Sequence, residues 1–245
     1  VRVLHLCLDL FVDPLPPWTG GETRLPEPEF GVRSREEVER FLGAACGLRA
    51  GSSRVPGRLV TDHEAPLGVL GEWVEAGELT APFDLVHADA HSCLGSGDEG
   101  WHYVLGTLMH LPAERRARPD PLRITPENWL LFAVAAGWIR SLDLIVHPGW
   151  KPDVLPVLFE GHDPGSGRLR LAAYDRNLLA LAFEMDGLEL PPAIAFAEPV
   201  PIRVGRRDEV SGLGPFDRVV VSRAPRYTPP GTDGLAEVVA GMLEE

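Results

Sequence analysis

Short β-rich runs alternate with longer amphipathic ones along the whole chain, and this alternation limits the possible folds more than any other feature. VRVLHLCL (1–8), RLVT (58–61), FDLVHA (83–88), LDLIVH (142–147), RLRLAAY (168–174), AIAFA (193–197) and DRVVVS (217–222) read as strands, since apolar and β-branched residues fill runs of strand length. Between them, SREEVERFLGAACGL (34–48) sets Ser34 three residues before Glu37, ahead of apolar Val38, Phe41 and Leu42. That is a capping box opening a helix. Apolar residues at helical spacing predict further helices over about 66–77, 101–110, 126–139, 175–184 and 233–243. Strands alternating with helices favour a mainly parallel sheet covered on both faces, an α/β fold of the three-layer α/β/α sandwich type. The proline-rich stretches 14–17, 112–121 and 225–230 are too short to separate two cores, so one domain over 1–245 is expected.

With 44% hydrophobic and 24% charged residues, the composition supports a buried core and gives no case for disorder. The 36 acidic against 23 basic residues leave a net charge of −13. Such a balance disfavours a nucleic-acid backbone or an anionic membrane as partner and suits a cationic substrate, although many soluble enzymes are acidic. No window approaches the roughly 18 apolar residues of a membrane span. The opening VRVLHLCLDLFVDP already contains Asp9 and Asp13 and reads as a strand, not a secretion signal. Three cysteines, Cys7, Cys46 and Cys93, cannot all pair within one chain; a reducing cytoplasm is the expected compartment.

Possible metal ligands gather where strands are expected to end: His5, Cys7 and Asp9; Asp62, His63 and Glu64; Asp89, His91 and Cys93. In an extended segment, alternate residues share a face, so His5, Cys7 and Asp9 would point together, as would Asp89, His91 and Cys93. A lone histidine is more often a satisfied core or surface residue, and a buried Asp often a helix cap. Two polar combs, each closing a hydrophobic strand, are harder to explain that way, because unpaired buried carboxylates cost several kcal/mol and a cation would compensate them. In open parallel sheets ligands collect at the carboxyl ends of strands, where these residues fall. Asp98, Trp101 and His102 follow the glycine-rich turn and are candidates to line a pocket, Trp101 more readily as packing. His147 is a candidate proton shuttle or a strand-end cap, and Glu64 and Glu127 are candidate guanidinium acceptors or solvated surface carboxylates. Cys93 as a nucleophile with His91 or His63 as base is a further possibility. GSGDEG lacks the spacing of a phosphate loop, and no GxSxG elbow occurs.

DAHSC (89–93) resembles the DAHxD signature of the arginase and agmatinase superfamily, in which Asp, His and Asp bind two manganese ions. The likeness extends to one branch, the arginase-like family long catalogued as uncharacterised that includes bacterial peptide arginases. LHLCLDLF (4–11), TDHEA (61–65), DAHSCLGSGDEGW (89–101), ENWLLFAVAAGWI (127–139) with VHPGW (146–150), and VVVSRAPRYTPPGTD (219–233) are similar to its ordered segments. The resemblance therefore runs through nearly the whole chain. It implies an arginase-like fold and hydrolysis of a guanidinium group by metal-activated water, with a peptidyl arginine converted to ornithine and urea. Carried over by position, one metal takes His63, Asp89, Cys93 and Cys7, and the other His91, Asp89, Cys7 and Asp9, with Asp98 or His102 handling protons. Cys7 and Cys93 stand where the pattern has aspartates, and His5 where it has an acid. Thiolates favour zinc or iron over manganese, so the cysteines imply a retuned metal or a decayed site. The alternatives are a zinc or iron hydrolase of another C–N bond, such as an amide, and a non-catalytic protein that binds cationic peptides.

Overall fold

The computed structural model describes residues 1–17, 23–51, 54–95, 97–185 and 189–244; Ser96, inside the DAHSC-containing motif, lies outside them. The N-terminal run forms β1 (Arg2–Cys7), buried from its second residue on, and a small ribbon, β2 (Val12–Asp13) with β3 (Gly31–Val32), follows. Next come α1 (Arg35–Arg40), β4 (Val55–Val60), α2 (Pro66–Glu75), β5 (Phe83–Asp89), α3 (Gly100–Gly106), α4 (Ala113–Arg116), α5 (Trp129–Ala135) and β6 (Ile139–Val146). The remainder supplies β7 (Arg168–Leu169), β8 (Ala172–Ala173), α6 (Arg176–Glu184), β9 (Ala195–Phe196), β10 (Val200–Arg206), β11 (Arg218–Ser222), α7 (Asp233–Ala240) and β12 (Leu243–Glu244).

Eight strands form one sheet in the order β12-β4-β11-β1-β5-β6-β10-β7. All neighbours run parallel except the edge pair β10 and β7. Alternation along the central strands sends Leu4, Leu6, Val86, Ala88, Val219 and Val221 into one core, with Val38 and Leu42 at α1 and Leu235 and Val239 from α7. Val3, Phe83, Leu85 and Val220 enter the other, against Leu70 and Trp73 of α2, Val104 of α3 and Trp129 of α5. Helices thus cover both faces of a large, mostly parallel sheet, an arrangement compatible with three α/β/α layers.

Several local expectations hold and several change. Ser34 caps α1 as its spacing predicts: its hydroxyl accepts from the Glu37 amide, while its own amide donates to the Glu37 carboxylate. The helix expected over 126–139 is shorter. Gly137, at φ +77°, ends it in a Schellman turn, with Gly137 N bonded to Val134 O and Trp138 N to Ala133 O, and β6 begins at Ile139. The single strand expected over 168–174 divides in two: β7 pairs with β10 and β8 with β9, while the Arg170 amide between them turns to Leu158 O. Strand β10 was not expected at all. No described helix is long and apolar enough to cross a membrane.

Candidate metal centre

At the carboxyl ends of β1, β4 and β5 the chain leaves the sheet earlier than simple alternation predicts. β1 stops at Cys7, and Leu8–Phe11 coil into a 3-10 turn, so Asp9 comes from that turn and not from the strand. β5 stops at Asp89, and Cys93 adopts a left-handed backbone, φ +53°. The combs are therefore bent, not extended, and only the bend lets their ends meet. A left-handed conformation is uncommon for a non-glycine residue and tends to mark a site that its surroundings hold in place. His63 arrives from the short connection between β4 and α2.

Donor atoms of Cys7, Asp9, His63 and Asp89 lie within 4.8 Å of one another, all buried. Each carboxylate is fixed at one oxygen: Ala90 N donates to Asp9 Oδ1 at 3.2 Å, and His91 N to Asp89 Oδ1 at 3.0 Å. The second oxygens, Asp9 Oδ2 and Asp89 Oδ2, are buried without a hydrogen bond. His63 Nε2 is 3.2 Å from Asp89 Oδ2, though not in hydrogen-bonding alignment, and its Nδ1 is 3.8 Å from Asp9 Oδ2. The two sulfurs meet the same ring from its two nitrogens: Cys7 Sγ is 3.6 Å from Nδ1, and Cys93 Sγ 3.2 Å from Nε2. Bonds of about 2.3 Å to sulfur and 2.0 Å to nitrogen at tetrahedral angles place S and N about 3.5 Å apart. The Cys7–His63 contact has that span. Two orphaned carboxylate oxygens beside a thiol and an imidazole fit a divalent ion, and the mixed S, N and O donors suit zinc or iron better than manganese.

The electrostatics point the same way. Burial disfavours charge on His63, but the Asp89 carboxylate overrides it and raises the imidazole to about 9. Burial, and then repulsion from Asp89, lifts Asp9 to about 7. Asp89 lies below the ordinary carboxylate range despite burial, because the His63, His87 and His5 rings favour its charge. Burial, reinforced by the carboxylates, pushes both thiols well up. Protonated at neutral pH, His63 cannot serve as the base that a Cys93 nucleophile would need.

The structure brings together Cys7, Asp9, His63 and Asp89, with Cys93 touching His63. His91 is buried and lowered to about 4, chiefly by burial, and lines a cavity of about 10 Å³ with His63, Cys93, Pro126, Glu127 and Tyr227. It belongs to neither group of converging donors. Asp98 and His102 line a different cavity, with Tyr103, Arg123 and Arg176. Asp98 accepts from Gly100 N, Thr125 Oγ1 and Asn128 Nδ2, and His102 Nε2 lies 3.2 Å from Arg176 O. Trp101 packs on Phe183, and His147 Nε2 donates to Asp13 at 2.7 Å while its Nδ1 accepts from Gly149 N. Asp62 is exposed.

Sequence reasoning passed over His87. It pairs in register with His5, and the two Nδ1 atoms are 2.9 Å apart; His5 Nε2 reaches Ser222 Oγ at 3.1 Å, and Trp129 packs edge-on against both rings. The available signal was alternation: His87 stands two residues before Asp89 and so shares its face of β5. Compared with protein-family models, with curated proteins and with solved structures, the chain matches none.

Proposed function

We propose that this chain is a metal-dependent hydrolase of C–N bonds on an arginase-like fold, with the guanidinium of an arginine residue in a peptide as its substrate. The observation that carries the reading is the pair of buried oxygens without a hydrogen bond, Asp9 Oδ2 and Asp89 Oδ2, facing His63 and Cys7. Cys7, Asp9, His63 and Asp89 would hold the ion, with Cys93 adjacent. A bound divalent ion supplies an activated water at neutral pH and stabilises charge on the attacked carbon's substituents. The chain's own part is to fix the carboxylates through Ala90 N and His91 N and to keep bulk water out. Glu127, in the wall of the small cavity, is placed to meet a cationic group, and His91 beside it to accept a proton. The motif resemblance and the net charge of −13 favour a guanidinium over a neutral amide.

One observation favours a second reading. A cavity of about 10 Å³ holds about one water molecule, so Tyr227, Pro126 and Glu127 must move before a guanidinium can enter. A site that stays closed suits a structural ion in a protein that binds cationic peptides on its acidic surface. Incubating zinc-, iron- or manganese-loaded protein with arginine-containing peptides separates the two. The hydrolase reading expects urea release and the mass decrease of arginine becoming ornithine, both abolished by chelation. Stable metal binding with no product from any peptide supports the second reading, and conversion of free arginine alone removes the peptide part of the first.

A further inference from the structure

We propose that His5, His87 and Asp89 form a second cation site, which shares Asp89 with the first. The inference rests on the metal-binding reading above but departs from the ligand set implied by the motif resemblance, which assigns the second ion to His91.

The three residues are wholly buried, and their donor atoms lie within 4.8 Å of one another. Parallel register sets His5 of β1 directly beside His87 of β5, and alternation along β5 puts Asp89 on the same face. The Nδ1 atoms of the two rings face each other at 2.9 Å. Without an ion that contact is a hydrogen bond sharing one proton. Two adjacent ligands of one octahedral ion, at bond lengths of about 2.1 Å, would stand about 3 Å apart, so the spacing of the two nitrogens already fits one ion, toward which both rings would turn their lone pairs.

Two atoms remain unexplained by a hydrogen-bonded pair alone. His87 Nε2 and Asp89 Oδ2 are both buried without a hydrogen bond, 3.8 Å apart and too distant to bond each other, and the nearest cation to Asp89 Oδ2 is His63, 3.2 Å away on the side of the first group. Ligating histidines commonly direct their other ring nitrogen to an orienting group. His5 does so, through Nε2 and the Ser222 hydroxyl at 3.1 Å. Trp129, edge-on to both rings, limits their rotation. Asp89 belongs to both donor groups, so its carboxylate would bridge two ions, while one of its oxygens keeps the His91 amide.

The test is a cobalt(II) titration of reduced, metal-free protein, with bound ions counted by elemental analysis and the thiolate-to-cobalt charge-transfer band read in the near ultraviolet. The band reports the Cys7 group, and the count reports both. Two ions per chain are expected for the wild type. His5→Gln and His87→Gln should each bind one ion with the band retained, and Cys7→Ser should lose the band. A wild type that binds one ion with the band overturns the second site and leaves the first standing. Two ions retained by both histidine variants also overturn it, since the second ion then lies elsewhere. No bound ion removes both sites. If a histidine variant fails to fold, a wild-type count of one still overturns the second site, and with a count of two His91→Gln tells the sites apart: it should keep both ions, and loss of one would put the second ion at His91 instead.

Discussion

His63 is held between two carboxylates and touches two thiols, so in the metal-free chain its proton does the work of a cation. Its folded value of about 9 exceeds the ordinary 6.5, so the stabilisation is fully present below pH 6.5 and is lost as pH rises through about 9. Asp9 adds to the same trend: its value is raised from 3.8 to about 7, so over that interval the unfolded chain releases this proton more readily than the folded one. The urea midpoint of metal-free protein should therefore fall between pH 6.5 and 9, with His63 contributing at most about 3 kcal/mol. Metal competes for the same nitrogen, so metal affinity should rise across that range. A metal-free midpoint that stays level or climbs would show that His63 is not the charged group. The thiols carry a separate expectation. Replacing Cys7 and Cys93 together by Asp should turn a preference for zinc or iron into one for manganese, read by competitive loading and elemental analysis. Uptake of manganese in preference to zinc by the reduced wild type would mark the cysteines as apolar filler. Cys7, Asp9, His63 and Asp89 were legible because they close hydrophobic runs. His87 was not, because FDLVHA reads as an apolar strand and only its partner, His5 on β1, reveals its role.

Strands β1, β4, β5, β6 and β11 were legible from their apolar runs, whereas β10 was hidden by its own composition. Pro201, Arg203, Gly205 and Arg206 dilute the pattern of VPIRVGR, and its pairing with β6 comes from across the sheet, so no local signal announces it. Helix α5 was overextended because Trp138 and Ile139 continue its apolar spacing, while Gly137 turns the backbone away. At Gly57 of β4 the fold depends on a missing side chain: a Cβ there would sit 2.5 Å from Val219 O of β11 and 3.0 Å from Leu243 of β12. Gly57→Ala should cost about 1–3 kcal/mol in chemical denaturation. Gly68→Ala in α2, where a Cβ meets nothing within 4 Å, should stabilise by about 0.5–1 kcal/mol. Equal effects at the two positions would contradict the close approach of β4 and β11.

Across the whole molecule, charge and access act in opposite senses: a net −13 draws cations toward a centre that is closed over. Tyr227 is 4% exposed, and its ring centroid lies 5.0 Å from that of His63. Tyr227→Ala should speed extraction of the ion by a chelator on the order of tenfold, a barrier lower by about 1.4 kcal/mol, while leaving the equilibrium ligand set intact. An unchanged extraction rate would place the route to the ion elsewhere. Binding of an arginine-rich peptide should weaken from low salt to 0.15 M, where the screening length falls to about 8 Å; salt-independent binding would exclude the acidic surface as its cause. The sheet order also bears on how the centre is made. β11, residues 218–222, lies between β4, which leads to His63, and β1, which leads to Cys7 and Asp9. A ribosome delivers every first-group ligand long before it delivers that spacer. The growing chain would therefore carry its thiols and histidines unassembled until β11 has emerged, and ion loading waits on that one strand, open until then to whichever metal the surrounding medium supplies.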